Sequence, residues 1–588
     1  MKDFLKYMLA AIVGVCIVGV VFAIIGVMSI AGMVASSSGS ETKVSDNSVF
    51  ILNLKGSVEE RVQPNPLSQL VGEEFGTYGL DDILGSIKKA KDNEKIKGIC
   101  LDAGAFVCPP ASLEEIRNAL KDFKESGKFI VAYGGNYLQS TYYLASVADK
   151  VAINPQGSLG WHGLATQTYF LKDLLDKIGV EMQIFRVGTY KSAVEPYTST
   201  EMSPANREQT QAFANSIWGQ MVDEVAASRR IPADSLNALA DRNMDLQPAE
   251  LYIKTGLADT LMYQDEMLAY LKQLTETDED DALNKLYLED MVNVQRNVPK
   301  DKSGNVLAVY YATGTIGSGE LSADEGIHPE KVAKDLRRLR EDESVKAVVF
   351  RVNSPGGSAF GSEEIWREIT LLKEQKPVIV SMGDYAASGG YYIACAADWI
   401  IAQPTTLTGS IGIFGYIPNA EKLLNDKLGI HFDGVKTNKL SDLGDISRPF
   451  TEEETALMQN MVNHGYELFT QRCADGRKMP VDEIKRIAEG RVWTGKMAKD
   501  LKLVDELGGI DRAIAVAAER AEIENYTVMS YPKQEDFFSS LLSSGTDRYL
   551  SARLKAELGA LYEPFRYLQT IKESDRIQAR LPFMITIK

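Results

Sequence analysis

Cysteine and histidine are scarce in this chain, with five Cys and four His among 588 residues. Cys16, Cys100, Cys108, Cys395 and Cys473 are scattered, with no CxxC pair and no Cys/His cluster. Neither a disulfide framework nor a structural zinc site is therefore indicated, and no metal is expected. His162, His328, His431 and His464 leave little material for imidazole catalysis. Positive charge is also short: 64 Lys+Arg against 81 Asp+Glu give a formal net charge of −17. No nucleic-acid partner is expected, because phosphate affinity comes mainly from Lys and Arg. Hydrophobic residues, at 45%, and charged residues, at 25%, are present in ordinary globular proportion, which excludes a mainly disordered or collagen-like chain.

The first 40 residues lack charge after Lys6; the next charged residue is Glu41. The apolar run from Tyr7 to Ala35 exceeds the ~20 residues that span a bilayer and the roughly 7–15 of a secretory signal core. Residues 7–35 are read as a transmembrane signal-anchor helix, with a cleaved export signal as the alternative. Lys2 and Lys6 precede the run, and an uncharged serine-rich stretch follows. The positive-inside rule then puts the N-terminus in the cytoplasm and the body outside.

The body repeats itself. Val345-Lys346-Ala347-Val348-Val349-Phe350 resembles Ile96-Lys97-Gly98-Ile99-Cys100-Leu101, Glu363-Glu364-Ile365 matches Glu114-Glu115-Ile116, and Tyr392–Asp398 matches Tyr143–Asp149. Pro404 matches Pro155, and these matches share one offset, 345 − 96 = 249. A constant offset across such a span indicates duplication. The expected organisation is a first domain over 47–272, a linker over 273–303 with an acidic run at Glu276–Asp281, a second domain over 304–525, and a helical tail over 526–588. Apolar strand patterns alternate with helical ones in each copy, which predicts α/β domains with mainly parallel sheets and flanking helices.

The copies differ at two places. The second contains Asn353-Ser354-Pro355-Gly356-Gly357-Ser358 after a buried strand; the first has Val107 and Cys108 where Gly356 and Gly357 stand. A glycine pair there lets backbone N–H groups approach an oxyanion. The second copy also has Ala386-Ala387-Ser388-Gly389-Gly390-Tyr391 between a strand and a helix, with Gln139 in the first at the place of Ser388. A serine on such a turn presents its hydroxyl beside helix N–H groups, the requirement for a nucleophile next to an anion hole. Taken alone, Ser-Gly-Gly is more often a capped helix start and Asn-Ser-Pro-Gly-Gly a tight turn. Their joint loss from the other copy favours chemistry. A serine nucleophile needs a base. Lys191, in Gly188-Thr189-Tyr190-Lys191-Ser192-Ala193-Val194-Glu195-Pro196, is a candidate if burial depresses its pKa; an exposed lysine is the default.

GTYKSAVEP around Lys191, NSPGGS at 353–358 and GDYAASGGYY at 383–392 together resemble the long, duplicated form of the bacterial signal peptide peptidase SppA, or protease IV. The resemblance covers nearly the whole chain, anchor included. It implies two tandem ClpP/crotonase-like repeats and a Ser-Lys dyad, with Ser388 as nucleophile and Lys191, from the other repeat, as general base. An oxyanion hole of Gly389, Gly356 and Gly357 accompanies them in this reading. It also implies a homotetramer in the bacterial cytoplasmic membrane, its catalytic body on the periplasmic side, that degrades remnant signal peptides. No cofactor is required. Laying Val435–Lys439 over Val187–Lys191 offers Lys439 as an alternative base within the second domain. An extended peptide paired to a strand edge is the expected binding mode. A crotonase-like acyl-CoA enzyme and a catalytically inactive membrane scaffold stand as rival readings.

Overall fold

The structure is a computed structural model that describes residues 14, 18, 19, 21, 41–62, 76–296, 301–317, 326–533 and 577–580. Apart from four helical residues, the expected membrane segment 7–35 lies outside these. Among the described residues no helix is long and apolar enough to cross a membrane.

Two parallel sheets organise the chain. In the first, the spatial order is Lys285–Leu286, Ser48–Asn53, Ile96–Asp102, Phe129–Tyr137, Lys150–Leu159, Thr260–Leu261, all parallel. The second places Thr527–Tyr531, Val306–Thr313, Val345–Ser354, Val378–Ala387 and Leu407–Gly409 in parallel order, with Val492–Thr494 antiparallel at the edge. Strands such as Val345–Ser354 are buried along nearly their whole length because helices cover both faces. The helix Pro110–Lys124 turns Ile116, Leu120 and Phe123 inward, and its counterpart Ala359–Lys373 does so with Ile365, Ile369 and Leu372. These residues recur at helical spacing, so each helix has one apolar stripe to bury.

In each sheet the opening strand is flanked by a late strand. Thr527–Tyr531 plays this part in the second sheet and Lys285–Leu286 in the first. The stretch read as a linker over 273–303 thus includes a strand of the first sheet, followed by the helix Leu288–Val292. Where the tail expected to be helical over 526–588 is described, it holds two strands, Thr527–Tyr531 and Ile577–Arg580.

A third, antiparallel sheet joins the halves. Its order is Gly356–Ser358, Ile577–Arg580, Phe414–Asn419, Glu181–Arg186. Glu181–Arg186 comes from the first half and pairs over six residues with Phe414–Asn419 of the second, from Arg186↔Phe414 to Glu181↔Asn419. That pairing carries the segment after Arg186 into the second half. A buried polar clasp closes the same interface. Arg351, 1% exposed, donates to Glu60 Oε2 at 2.9 Å and Glu115 Oε1 at 2.7 Å. Asp384 accepts from the backbone N–H and hydroxyl of Ser112 at 2.8 and 2.7 Å.

Candidate active site

Ser388 sits between the strand Val378–Ala387 and the helix Gly389–Ala394. Its φ of 55° and ψ of −115° lie outside the regions an L-residue ordinarily adopts. The turn is held by the Ser388 N–H donating to the Gly409 carbonyl at 2.8 Å. Strain of this kind persists only where the surroundings over-determine it.

Lys191 reaches Ser388 from the first half. After Arg186, the Val187 N–H donates to the Ile413 carbonyl at 3.2 Å and the Tyr190 N–H to the Glu489 carbonyl at 2.9 Å. The loop lies so close to Gly490 that a Cβ there would sit 2.6 Å from Lys191 Cβ. Gly490 also has φ +75°, so both its conformation and this approach require glycine. Gln209, fully buried, fixes the loop from the other side. Its Nε2 donates to the Tyr190 carbonyl and the Ser192 hydroxyl, each at 3.0 Å, and its Oε1 accepts from the Val492 N–H at 3.1 Å.

The Lys191 amine ends 2.7 Å from Ser388 Oγ, and it donates to the Ser410 carbonyl and hydroxyl at 2.9 and 3.0 Å. Lys191 and Ser388 are both 0% exposed. Burial holds the amine well below the usual lysine value of 10.5, because the charged form has lost its water. Among the described residues no carboxylate pairs with it. A neutral amine of this kind can accept a proton from the hydroxyl beside it.

Gly356 and Gly357 adopt φ +98° and +157°. A Cβ on Gly357 would sit 2.0 Å from the Ile316 carbonyl oxygen, so the turn admits only glycine. The Gly356 N–H is already donated to Ser354 Oγ at 3.1 Å. The Gly356 carbonyl accepts from the Ile316 N–H, and the Ser358 N–H donates to the Ile316 carbonyl. Successive strand residues alternate in direction, so the Gly357 N–H faces the opposite way, across the bridging sheet. Gly389 opens its helix, and its N–H has no intrahelical partner. A Cβ built on Gly389 would lie 3.1 Å from the Gly357 nitrogen, so the two come close together. Of the three glycines expected to form the hole, Gly357 and Gly389 thus present N–H groups, while Gly356 shapes the turn.

The alternative base Lys439 is elsewhere: its side chain is 77% exposed and ion-paired with Glu453. In the first half, Gln139 fills the place that Ser388 takes in the second. Its Oε1 accepts from the His162 and Gly163 N–H groups at 2.9 and 3.1 Å. Val107, opposite Gly356 in the duplication, is 75% exposed. Ser410 escaped the comparison of the copies, because Gly409-Ser410-Ile411-Gly412 is answered by Gly157-Ser158-Leu159-Gly160 and nothing distinguishes the two serines by sequence.

Comparison with known proteins agrees in scale with the duplication. Peptidase family S49 matches twice, at residues 122–278 and 370–524. Protease 4 of Salmonella typhi is 37% identical over 526 residues, 87% of this chain and 84% of that protein. Protease 4 of Haemophilus influenzae is 35% identical over 574 residues, 92% of this chain and 91% of its own. The chloroplastic serine protease SPPA of Arabidopsis thaliana is 33% identical over 87% of this chain and 76% of its own. Among solved structures, a ClpP1 point mutant from Listeria monocytogenes covers 35% of this chain and 94% of its own at 18% identity and a TM-score of 0.24, an overlap that assigns no fold by itself. Matched twice by one family, and along most of their length by relatives that share the duplication's full span, these 588 residues belong to peptidase family S49 and form a serine protease of the long, duplicated type.

Proposed function

We propose that this chain is a membrane-anchored endopeptidase that degrades signal peptides left in the membrane after signal peptidase has released the mature protein. Ser388 is the nucleophile and Lys191 the general base. The observation that carries this reading is the 2.7 Å approach of a fully buried, uncharged-favouring amine to a fully buried serine hydroxyl.

Lys191 takes the Ser388 proton as Oγ attacks the peptide carbonyl. The N–H groups of Gly357 and Gly389 stabilise the oxyanion, each contributing about 3–4 kcal/mol by comparison with other such holes. The Lys191 ammonium returns the proton to the leaving amine, and water, deprotonated by the same lysine, hydrolyses the acyl-enzyme. No metal or organic group takes part. Ser410 orients the amine, and Lys439 has no role. The two repeats, whose sheets take in the late strands Lys285–Leu286 and Thr527–Tyr531, have the ClpP/crotonase-like fold and supply half of the dyad each. The segment 7–35 anchors the chain in the cytoplasmic membrane, with the body on the periplasmic side, and four copies assemble around a shared cavity. An extended apolar peptide, bound as an added strand, suits this arrangement.

The test is labelling of the purified, detergent-solubilised protein by a fluorophosphonate, together with hydrolysis of an apolar signal-peptide fragment. Wild type should label and cleave. Ser388→Ala should do neither, with its melting temperature preserved; hydrolysis near the wild-type rate in that variant would remove Ser388 from the chemistry.

A further inference from the structure

We propose that Asn353 is a positioning residue for the reaction: its side-chain amide, held by Glu60 of the first half and by Asp384, sets the register that brings the Gly356–Gly357 turn level with Ser388. The inference rests on the proposed role of Ser388 and on an oxyanion held by Gly357 and Gly389.

The motifs NSPGGS and GDYAASGGYY contain residues that the chemistry leaves unused: Asn353, Gly383 and Asp384. They meet where the strand of the turn, Val345–Ser354, runs beside the strand of the serine, Val378–Ala387. The two pair in parallel from Val348↔Val378 to Val352↔Met382, and the next pair is Ser354↔Ala386. One strand spends two residues on that step and the other four. The serine strand therefore bulges at Gly383–Tyr385. An unbroken ladder would set Ser354 opposite Asp384, and Ser388 would lie two residues, roughly 6–7 Å, further past the turn. Bulges re-aim side chains in this way beside active sites.

Asn353 holds the bulge. Its Oδ1 accepts from the Tyr385 N–H at 3.1 Å, so a side-chain oxygen serves where the ladder is interrupted. Its Nδ2 donates to Glu60 Oε1 at 3.1 Å and to Asp384 Oδ2 at 3.2 Å. Both ends of the amide are engaged, which fixes the way it points. The two carboxylates are buried and tied in turn: Asp384 to Ser112, and Glu60 to Arg351. A Cβ on Gly383 would collide with Glu60 Oε1 and sit 2.9 Å from Asn353 Cγ, so the bulge admits this arrangement only with glycine there. Ser354 then carries the register into the site. Its Oγ accepts from the Gly356 N–H at 3.1 Å, and a Cβ on Gly390 would sit 2.6 Å from its carbonyl oxygen. The residue paired with Ala386 thus touches both the turn and the start of the serine helix.

The duplication supplies an independent sign. At the offset of 249, Gly104 and Gly135 stand where Asn353 and Asp384 do. Neither glycine can make these bonds. The copy without the serine also lacks the amide and the carboxylate, whereas a brace needed for the fold alone would serve both copies.

Asn353→Ala leaves the bulge unbraced, so the Gly357 and Gly389 N–H groups no longer stand at the distance the oxyanion needs. Lys191 reaches Ser388 through other contacts. The test uses the purified full chain, with hydrolysis of a signal-peptide fragment and inhibition by its aldehyde analogue, which forms a hemiacetal on Ser388 and so places an oxyanion in the hole. Asn353→Ala should lower kcat and aldehyde affinity together by about a hundredfold, with KM and the acid limb of the pH profile unchanged. Should that variant fail to fold, Asp384→Asn, equal in size, is read in its place, with at least about a tenfold loss in both. A folded variant with wild-type kcat, or one that loses kcat while keeping aldehyde affinity, overturns the positioning role alone, provided Ser388→Ala is inactive. Hydrolysis near the wild-type rate in Ser388→Ala overturns the proposed function and this inference with it.

Discussion

An amine buried with no carboxylate beside it destabilises the fold that holds it. In the folded chain the Lys191 amine is pushed toward neutrality well below 10.5, whereas in the unfolded chain it is protonated up to about that value. The unfolded state therefore binds the extra proton, and stability at this residue rises with pH between the depressed folded value and the unfolded one. Lys191→Met should accordingly raise the melting temperature at pH 7, with a gain that shrinks as the pH approaches 10. A variant that melts lower at pH 7 and shows no such pH dependence would mean that the amine is charged in the folded protein. The same depressed value should appear in wild type as an acid limb of kcat/KM, since protonation removes the base. Ser388 and Lys191 were legible as candidates because the copies disagree at one and a loop motif marks the other. Ser410, which receives two of the amine's hydrogen bonds, was not, because its counterpart Ser158 is also a serine. The Gly356 N–H, counted among the expected donors, is turned to Ser354 by local geometry that no residue pattern encodes.

At the scale of elements, the site depends on how strands from distant parts of the chain meet. The parallel character of both sheets could be read from apolar runs such as Ala347–Phe350, and the helices from their apolar stripes. The bridging sheet could not. Its members Glu181–Arg186, Gly356–Ser358, Phe414–Asn419 and Ile577–Arg580 are short and far apart in sequence. Their register is set by tertiary packing, and short strands carry too few side chains to specify a partner. For the same reason Lys285–Leu286 reads as linker until its pairing with Ser48–Asn53 is seen. The Lys191 loop, which continues from one of these strands, is steadied by Gln209 on the long helix Pro204–Arg229. Gln209→Ala would leave the Tyr190 carbonyl and the Val492 N–H without this partner. A buried polar group so exposed costs about 1–3 kcal/mol. Because Gln209 acts by positioning the lysine, the variant should lower kcat and shift the acid limb while leaving KM nearly unchanged. An equal loss in stability with an unaltered kcat and pH profile would make Gln209 a purely structural residue.

At the scale of the whole molecule, the duplication has been put to asymmetric use. One half keeps the serine turn; the other has closed it with Gln139 and instead extends the strand and loop that deliver Lys191. The halves cannot drift apart without separating the pair, and the Arg351–Glu60–Glu115 clasp works against such drift. Asn353, just before the Gly356–Gly357 turn, also donates to Glu60 at 3.1 Å, so the clasp reaches the segment that carries the turn. Removing one partner of such a buried ionic group leaves the others uncompensated, which typically costs about 3–5 kcal/mol. The central claim is that residues from the two halves act as a single chemical unit. Groups that act as a unit lose nearly the same activity singly and together. The most direct measurement is kcat/KM on one signal-peptide fragment for Ser388→Ala, Lys191→Ala, the double variant and Lys439→Ala. The account predicts that each of the first two falls by at least about three orders of magnitude, that the double variant falls no further, and that Lys439→Ala stays near wild type. Losses that multiply in the double variant, or an essential Lys439 with a dispensable Lys191, would contradict it.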